Sequence, residues 1–187
     1  KGVDTKNNTI VDYVSRNIID FDKYDLTLIG ASNENNRNIC LEHLLKYKKD
    51  IEKYIENNKF FLATGNSISM FGKKLYDKEA LDIFDYTTVE SKTRISKEVI
   101  LENNICKPIY GFFNHQDIIN NENNFLFNNE GIHYKNFFGT FTLGPILSRN
   151  PDFLKYFLKK LIHSKDENYK IKNIDTTLDE KAYNEFI

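Results

Sequence analysis

The amino-acid sequence predicts an α/β fold organised around a parallel sheet. Two short apolar runs, residues 24–29 and 59–63, have the length and composition of buried strands, and each leads into a turn that contains glycine. Between them, residues 39–57 repeat apolar side chains at three- and four-residue spacing, which is typical of an amphipathic helix. Because strand, helix and strand follow one another in this order, the two strands are expected to run parallel.

The connections in the first half of the chain are predicted from their polar and glycine residues. Residues 30–38 are expected to form a loop, and Asn57 and Asn58 end the helix. Residues 64–67, Thr-Gly-Asn-Ser, predict a tight turn into a short helix that reaches about Gly72.

The second half of the chain predicts further strands and one well-marked helix. Asn150 offers a capping oxygen and Pro151 suits the first helical position, so a helix is expected over residues 151–163. Residues 165–187 are a charged tail in which a short helix can begin at Leu178. The remaining apolar runs predict strands at 83–89, 99–101, 108–113 and 137–142.

Composition restricts the class of protein. A chain of 187 residues, 40% hydrophobic and 28% charged, is expected to be one soluble domain, residues 1–187. A formal net charge of -1 disfavours a nucleic-acid partner, because it provides no basic field for phosphates. No apolar run approaches the roughly 20 residues that span a bilayer and no leader pattern follows Lys1, so we expect a cytoplasmic protein without membrane insertion.

The cysteines and histidines predict no metal site and no cofactor. Cys40 and Cys106 form no C-x-x-C pair and are interpreted as buried small apolar residues. The four histidines have no metal-ligand spacing among themselves; they stand at positions 43, 115, 133 and 163.

Several segments together resemble the GatD branch of the CobB/CobQ-like class I glutamine amidotransferases. The resemblance covers about residues 20–163 and implies a flavodoxin-like three-layer sandwich with a mostly parallel central sheet. Members of this family usually begin with another strand and helix, so we expect an N-terminally truncated chain with an exposed sheet edge. The matching segments are residues 22–32 (DKYDLTLIGAS), 54–74 (YIENNKFFLATGNSISMFGKK), 85–94 (DYTTVESKTR), 111–115 (GFFNH) and 130–150 (EGIHYKNFFGTFTLGPILSRN).

The resemblance implies a reaction for which this sequence lacks two side chains. In the family a Cys thiolate attacks the amide of glutamine, a His moves the proton and backbone N–H groups hold the oxyanion. Gap-free counting from both sides places the Cys position, in the pattern Ile-Cys-Gly-Gly-Tyr-Gln, at Gly65. The His position, before Gly-Pro in the pattern Gly-Thr-Tyr-Leu-His-Gly-Pro, falls at Leu143. We therefore predict that no catalytic residue is intact.

The rest of the implied substrate site is only partly retained. The family loop of three glycines is here Gly30 followed by Ala31 and Ser32, and the added Cβ atoms narrow the space for a ligand. The resemblance places Gly30, Asn66 and Arg94 at the glutamine-binding site. Arg94 is open to two interpretations, as a bidentate carboxylate clamp or as a surface ion-pair residue. Glutamine is expected to bind weakly, if it binds.

Replacement catalytic groups are a second interpretation. Thr64, Ser67 and Ser69 flank the predicted turn, but a hydroxyl needs an adjacent base and Leu143 removes the obvious one. His115 matches the family's Asn-His, yet the Gly-Gly that should follow is Gln116-Asp117, and a structural or solvated histidine is the simpler interpretation.

Three hypotheses follow from these residues. The first is a catalytically dead subunit that docks on a Mur-ligase-like partner of the MurT type, as a structural or regulatory half of a heterodimer that in the family amidates the D-glutamate of lipid II. The second is a live glutaminase with a relocated nucleophile. The third is a decayed or partial chain without a role.

Overall fold

The computed structural model describes residues 18–120, 125–171 and 174–186. Its strands are β1 (Leu26–Ile29), β2 (Phe60–Thr64), β3 (Lys74–Leu75), β4 (Lys78–Glu79), β5 (Thr87–Leu101), β6 (Ile109–Ile119), β7 (Ile132–Tyr134) and β8 (Phe137–Thr140). Its α-helices are α1 (Glu34–Leu44), α2 (Lys48–Glu56), α3 (Ile146–Arg149), α4 (Pro151–His163) and α5 (Thr177–Phe186). Short 3-10 helices cover Phe21–Lys23, Leu45–Tyr47 and Gly65–Phe71.

The central sheet is mostly parallel, as predicted. Its strand order is β1-β2-β8-β7, with β1 parallel to β2, β2 parallel to β8, and only β7 antiparallel to its neighbour. The register places Leu28 opposite Leu62 and Ala63 opposite Gly139. The carboxyl ends of β2 and β8 therefore lie side by side, and the predicted Cys and His positions follow those two ends.

Helices cover both faces of this sheet, which gives the expected three layers. Side chains alternate between the faces along each strand, so that β2 and β8 contribute to two separate cores. The first core joins α1, α2 and the Gly65–Phe71 helix to Phe61, Ala63 and Phe137. The second packs Phe153 and Phe157 of α4 on Phe60, Leu62 and Phe138.

β1 ends the central sheet at one side of the described part of the chain. Leu28 on this strand is 58% exposed. The expectation of a truncated N-terminus concerns the residues before this strand, and residues 1–17 lie outside the described ranges.

The single helix predicted over residues 39–57 is wrong in its bounds. Asn33 caps α1 by accepting a hydrogen bond from the Asn36 backbone N–H at 2.8 Å, so the helix starts inside the predicted loop. The tighter turn Leu45–Tyr47 then separates α1 from α2. Leu45 is 37% exposed, so burial of its side chain does little to enforce continuous α geometry there.

A second sheet, in the order β4-β3-β5-β6, was not predicted. The predicted strands 83–89 and 99–101 are wrong as separate elements, because one strand of 15 residues, Thr87–Leu101, runs through the polar segment between them. That segment is largely exposed and carries no apolar alternation by which a strand could be recognised. β5 pairs antiparallel with β6, and the register shifts between Glu90 and Ile95.

The helix at Pro151–His163 is confirmed, but the expected role of Asn150 as its cap is wrong. The Asn150 side chain makes no capping hydrogen bond. Its Oδ1 accepts from the Tyr110 N–H at 2.8 Å and its Nδ2 donates to the Tyr110 carbonyl at 3.0 Å, so it extends the edge of β6. The short helix in the tail is confirmed as α5.

Two further sequence expectations can be compared with the structure. Cys40 and Cys106 are free thiols that are half-buried rather than fully buried. Among the described residues, no helix is long and apolar enough to cross a membrane.

Candidate functional site at the strand-to-helix elbow

The elbow after β2 has the sharp geometry that the sequence predicted. Gly65 has φ of +62° and begins the buried helix Gly65–Phe71 directly after Thr64. Glycine adopts this left-handed conformation without the steric penalty that a Cβ brings. The turn is therefore preserved at the position where a nucleophile would stand.

Leu143 and Ala31 lie directly against Gly65. A Cβ placed on Gly65 would overlap the Ala31 Cβ and would lie 2.9 Å from Leu143 Cδ2 and 3.3 Å from Ala31 Cα. The Gly65 N–H donates to the Thr142 carbonyl at 3.2 Å, which holds the two strand ends together. The structure thus brings together the three positions that the sequence linked, and apolar atoms fill the space between them.

The side chain of Asn66 is committed to the loop that follows β1. Its Oδ1 accepts from the Ser32 N–H at 3.1 Å and its Nδ2 donates to the Ser32 carbonyl at 2.8 Å. Ser67 Oγ lies 2.9 Å from the Thr64 carbonyl and 3.1 Å from the Ile29 carbonyl, its possible acceptors. Gly30 has open space around it, since a Cβ there would meet nothing within 4 Å.

Arg94 lies in the register shift of β5, and all three guanidinium nitrogens have partners. Nε donates to Asn114 Oδ1 at 2.5 Å and Nη2 to the Asn114 carbonyl at 3.5 Å. Nη1 donates to Glu34 Oε1 at 2.9 Å, and the two side chains are 43% and 39% exposed. Of the two interpretations of Arg94, the structure shows the ion pair.

A buried charged cluster behind the elbow was missed by the sequence analysis. Asp117 on β6 pairs with Arg37 on α1, and both side chains are 1% exposed. Asp117 also accepts from Ser69 Oγ at 2.6 Å and from the Tyr76 hydroxyl. Burial is the largest influence on the pKa of Arg37 and opposes its charge, yet the bonds to Asp117 leave that pKa raised. The signal available in the sequence was Asp117, which stands where the resemblance expects a glycine.

His115 contributes to the wall of this cluster. Its Nδ1 lies 2.8 Å from the Asp117 carbonyl, and its ring stacks on Phe141 with centroids 4.0 Å apart. Desolvation lowers its pKa, so the neutral imidazole is favoured. Both contacts fit a structural histidine.

Glu130 is a second residue that the sequence analysis missed. Its carboxylate accepts from the Phe141 N–H at 2.6 Å and from Thr140 Oγ1 at 2.8 Å, which fixes the end of β8 three residues before Leu143. Burial raises the pKa of this carboxyl to about 7, although both hydrogen bonds act in the opposite direction. A carboxylate directly after an Asn pair gave no distinguishing signal in the sequence.

The Ser67 and Ser69 hydroxyl groups at the elbow are buried and already hydrogen-bonded. Ser67 faces backbone carbonyls, and Ser69 donates to the Asp117 carboxylate. A serine nucleophile must also be accessible to its substrate, and Ser67 and Ser69 are only 2% and 0% exposed. In the described ranges no group of three or more His, Cys, Asp or Glu side chains is placed to hold a metal ion.

Comparison with known proteins identifies the family to which this fold belongs. Residues 3–151 match the CobB/CobQ-like glutamine amidotransferase domain. The chain is 28% identical over 181 residues to the subunit GatD of the glutamine-hydrolysing lipid II isoglutaminyl synthase from Staphylococcus aureus strain N315, an alignment that covers 88% of this chain and 74% of that protein. It is 31% identical over 154 residues to the same subunit from Streptococcus pneumoniae strain ATCC BAA-255 / R6, which covers 70% of this chain and 59% of that protein.

Proposed function

This chain belongs to the CobB/CobQ-like glutamine amidotransferase family, and from that premise we propose that it is a GatD-like subunit that has lost glutamine hydrolysis. It acts as the structural or regulatory half of a complex that amidates lipid II. Its partner is a Mur-ligase-like protein of the MurT type.

The observation that carries the proposal is the contact of Gly65 with Ala31 and Leu143. Hydrolysis of glutamine through a thioester needs a nucleophile on the elbow and a base within hydrogen-bond reach of it. Here Gly65 at the elbow has no side chain, and the position of the base is the aliphatic Leu143. Ala31 occupies the volume that a Cβ on residue 65 would need. The missing side chains therefore cannot be supplied by one substitution.

The loop after β1 supports the same proposal. A backbone N–H stabilises an oxyanion only if it is free to point at the developing charge. The Ser32 N–H already donates to Asn66 Oδ1 at 3.1 Å. Using it for an oxyanion would require breaking a hydrogen bond made by the elbow itself.

The relatives' names support a role within a complex. Both similar proteins are named as subunits of a glutamine-hydrolysing lipid II isoglutaminyl synthase. A subunit that has lost its own reaction can still contribute a docking surface and hold its partner in an active conformation. The D-glutamate of lipid II is the corresponding substrate of the proposed complex.

The first experiment measures ammonia release from L-glutamine by the purified chain, alone and co-expressed with a Mur-ligase-like protein. A GatD relative that retains Cys and His is the positive control. We expect no release above the rate without enzyme. Release that is abolished by Ser67→Ala or Thr64→Ala would contradict the proposal and would favour a relocated nucleophile.

The second experiment tests the partner. A tagged chain is co-expressed with the Mur-ligase-like protein encoded in the same genome, and the complex is isolated by affinity purification and size-exclusion chromatography. We expect a 1:1 complex. Failure to co-elute at micromolar concentrations of both proteins would contradict the docking role.

A further inference from the structure

We propose that an open cavity beside β7 binds a neutral ring that carries hydroxyl and amide groups, the chemistry of an N-acetyl amino sugar. The cavity has a volume of about 500 Å³, and small-molecule sites typically measure about 300–1,000 Å³. It borders the second core, on the opposite face of the central sheet from the Gly65–Phe71 helix. Binding there does not depend on whether the chain hydrolyses glutamine. The residues that line it include Asn104, Phe125, Phe127, Asn128, Asn129 and His133.

Two short segments, tied to each other, form the mouth of the cavity. The tight turn at residues 127–130 is closed by backbone hydrogen bonds in both directions between its end residues, at 3.0 and 2.8 Å. The Asn128 N–H then donates to the Glu102 carbonyl at 2.9 Å, which joins this turn to the second segment. In that segment Asn103 Oδ1 accepts from the Ile105 N–H at 2.9 Å. The mouth is therefore preformed, which lowers the entropy cost of binding.

His133 on β7 contributes an unsatisfied polar atom to the wall. Among the described residues, its Nε2 is buried and has no hydrogen-bond partner. Desolvation, and then the charge of Lys160, lower the pKa of His133, so the ring is neutral at pH 7. The hydrogen bond between the ring and the Lys135 backbone raises the pKa, so the imidazole is its donor and Nε2 is left as an acceptor. A ligand that satisfies Nε2 must offer an O–H or N–H group.

The direction of this acceptor is fixed by packing. The His133 ring stacks on Phe138 with centroids 4.6 Å apart. Lys160 Nζ lies 5.6 Å from the centroid of the same Phe138 ring. The imidazole is therefore held against the second core, and a bound donor meets an acceptor that is already oriented.

The remaining lining residues favour a neutral polar ring over an ionic or a purely apolar ligand. The side-chain amides of Asn104, Asn128 and Asn129 each offer donors and an acceptor, which suits hydroxyl and amide groups. Phe125 is 36% exposed and Phe127 is buried, so two aromatic rings are placed to pack on the apolar face of a ligand ring. The described residues that line the cavity include no carboxylate and no ammonium group, so a charged ligand would have no counter-charge in the lining.

The experiment titrates N-acetyl-D-glucosamine into the full chain and follows the backbone amide resonances of Asn104 and Asn128 by NMR. Cyclohexanol is the comparison ligand, because it has a ring of the same size with a single hydroxyl group and no amide.

Two variants remove one polar group each while keeping the local structure. His133→Phe keeps an aromatic ring against Phe138 but removes Nε2. Asn129→Gly removes an amide at a position with φ of +60°, which glycine adopts without strain. His43→Phe is the matched control, because His43 is on α1, which packs on the other face of the sheet.

We expect saturable shifts with N-acetyl-D-glucosamine, with a dissociation constant on the order of 1–10 mM. Binding should be about fivefold weaker in His133→Phe and in Asn129→Gly, since each loses one hydrogen bond to the ligand. The His43→Phe control should bind as the unchanged protein does. Three results would each refute the inference: no saturable shift, cyclohexanol bound as tightly as the sugar, or unchanged affinity in either cavity variant. Unchanged amide resonances outside the cavity verify that each variant is folded.

Discussion

Replacing Gly65 by alanine measures whether the elbow has lost the space for a nucleophile. At φ of +62° an L-residue is strained by about 1–2 kcal/mol. The new Cβ also overlaps the Ala31 Cβ and lies 2.9 Å from Leu143 Cδ2, and overpacking of this kind costs about 1–3 kcal/mol. Together these terms predict that Gly65→Ala lowers the free energy of unfolding by roughly 2–5 kcal/mol.

Substitution of Ala31 allows the cost of overpacking to be measured separately from the cost of backbone strain at position 65. Ala31→Gly removes the overlapping methyl group but leaves the backbone strain at position 65 unchanged. In a double-mutant cycle we therefore expect a favourable coupling of about 1–3 kcal/mol between Ala31→Gly and Gly65→Ala. Gly30→Ala is the matched control, because a Cβ at Gly30 meets nothing within 4 Å.

Equilibrium urea denaturation, followed by circular dichroism and tyrosine fluorescence, measures all four proteins and the control. The reasoning is refuted if Gly65→Ala costs no more than Gly30→Ala. It is also refuted if the coupling energy is zero within error, since Ala31 would then not occupy the space that the Cβ needs.

Three further substitutions test other contacts by the same denaturation assay. Glu130→Gln should remove a pH dependence of stability, because the pKa of Glu130 in the folded protein, about 7, lies above its ordinary value of 4.5. As pH rises from 4.5 to 7, the unchanged protein should therefore lose up to about 3 kcal/mol of stability relative to the variant. A stability difference that does not change with pH would contradict this prediction. Asp117→Asn should lower the free energy of unfolding by about 3–5 kcal/mol, because it leaves Arg37 buried without its counter-charge. Adding Arg37→Met should recover most of that loss. A double variant no more stable than the single variant would count against a charge effect. Asn150→Ala should cost roughly 2–4 kcal/mol because it leaves both backbone groups of Tyr110 without their partner, and a loss below ~1 kcal/mol would indicate that water replaces the side chain.

The two middle strands of the central sheet, β2 and β8, were predictable because they are buried on both faces. All five residues of β2 are buried, and such a strand appears in the sequence as an uninterrupted apolar run. The positions of Gly65 and Leu143 were predicted by gap-free counting against the family patterns, and in the structure they lie one residue after β2 and three residues after β8. Helix α4 was recognisable from Pro151 and its apolar stripe.

The second sheet and the charged cluster were not predictable from local pattern. β5 exposes much of its length, so its polar residues give no period of two. Arg37 and Asp117 are 80 positions apart, and Asp117 in place of an expected glycine does not indicate which residue pairs with it. Their pairing depends on how α1 and β6 both pack against the Gly65–Phe71 helix, which is a property of the tertiary fold.

The two hydrogen bonds between Asn66 and the Ser32 backbone have a consequence for reversibility. Restoring a nucleophile at position 65 requires a smaller residue at position 31 and a base at position 143, while an oxyanion donor requires Asn66 to release Ser32. A Cβ at position 65 alone would overlap Ala31, and none of these changes alone supplies the nucleophile, the base and the oxyanion donor together. Under the proposed loss of glutamine hydrolysis, recovery therefore needs several simultaneous substitutions, and a descendant of this chain would acquire a new binding role more readily than it would regain the reaction.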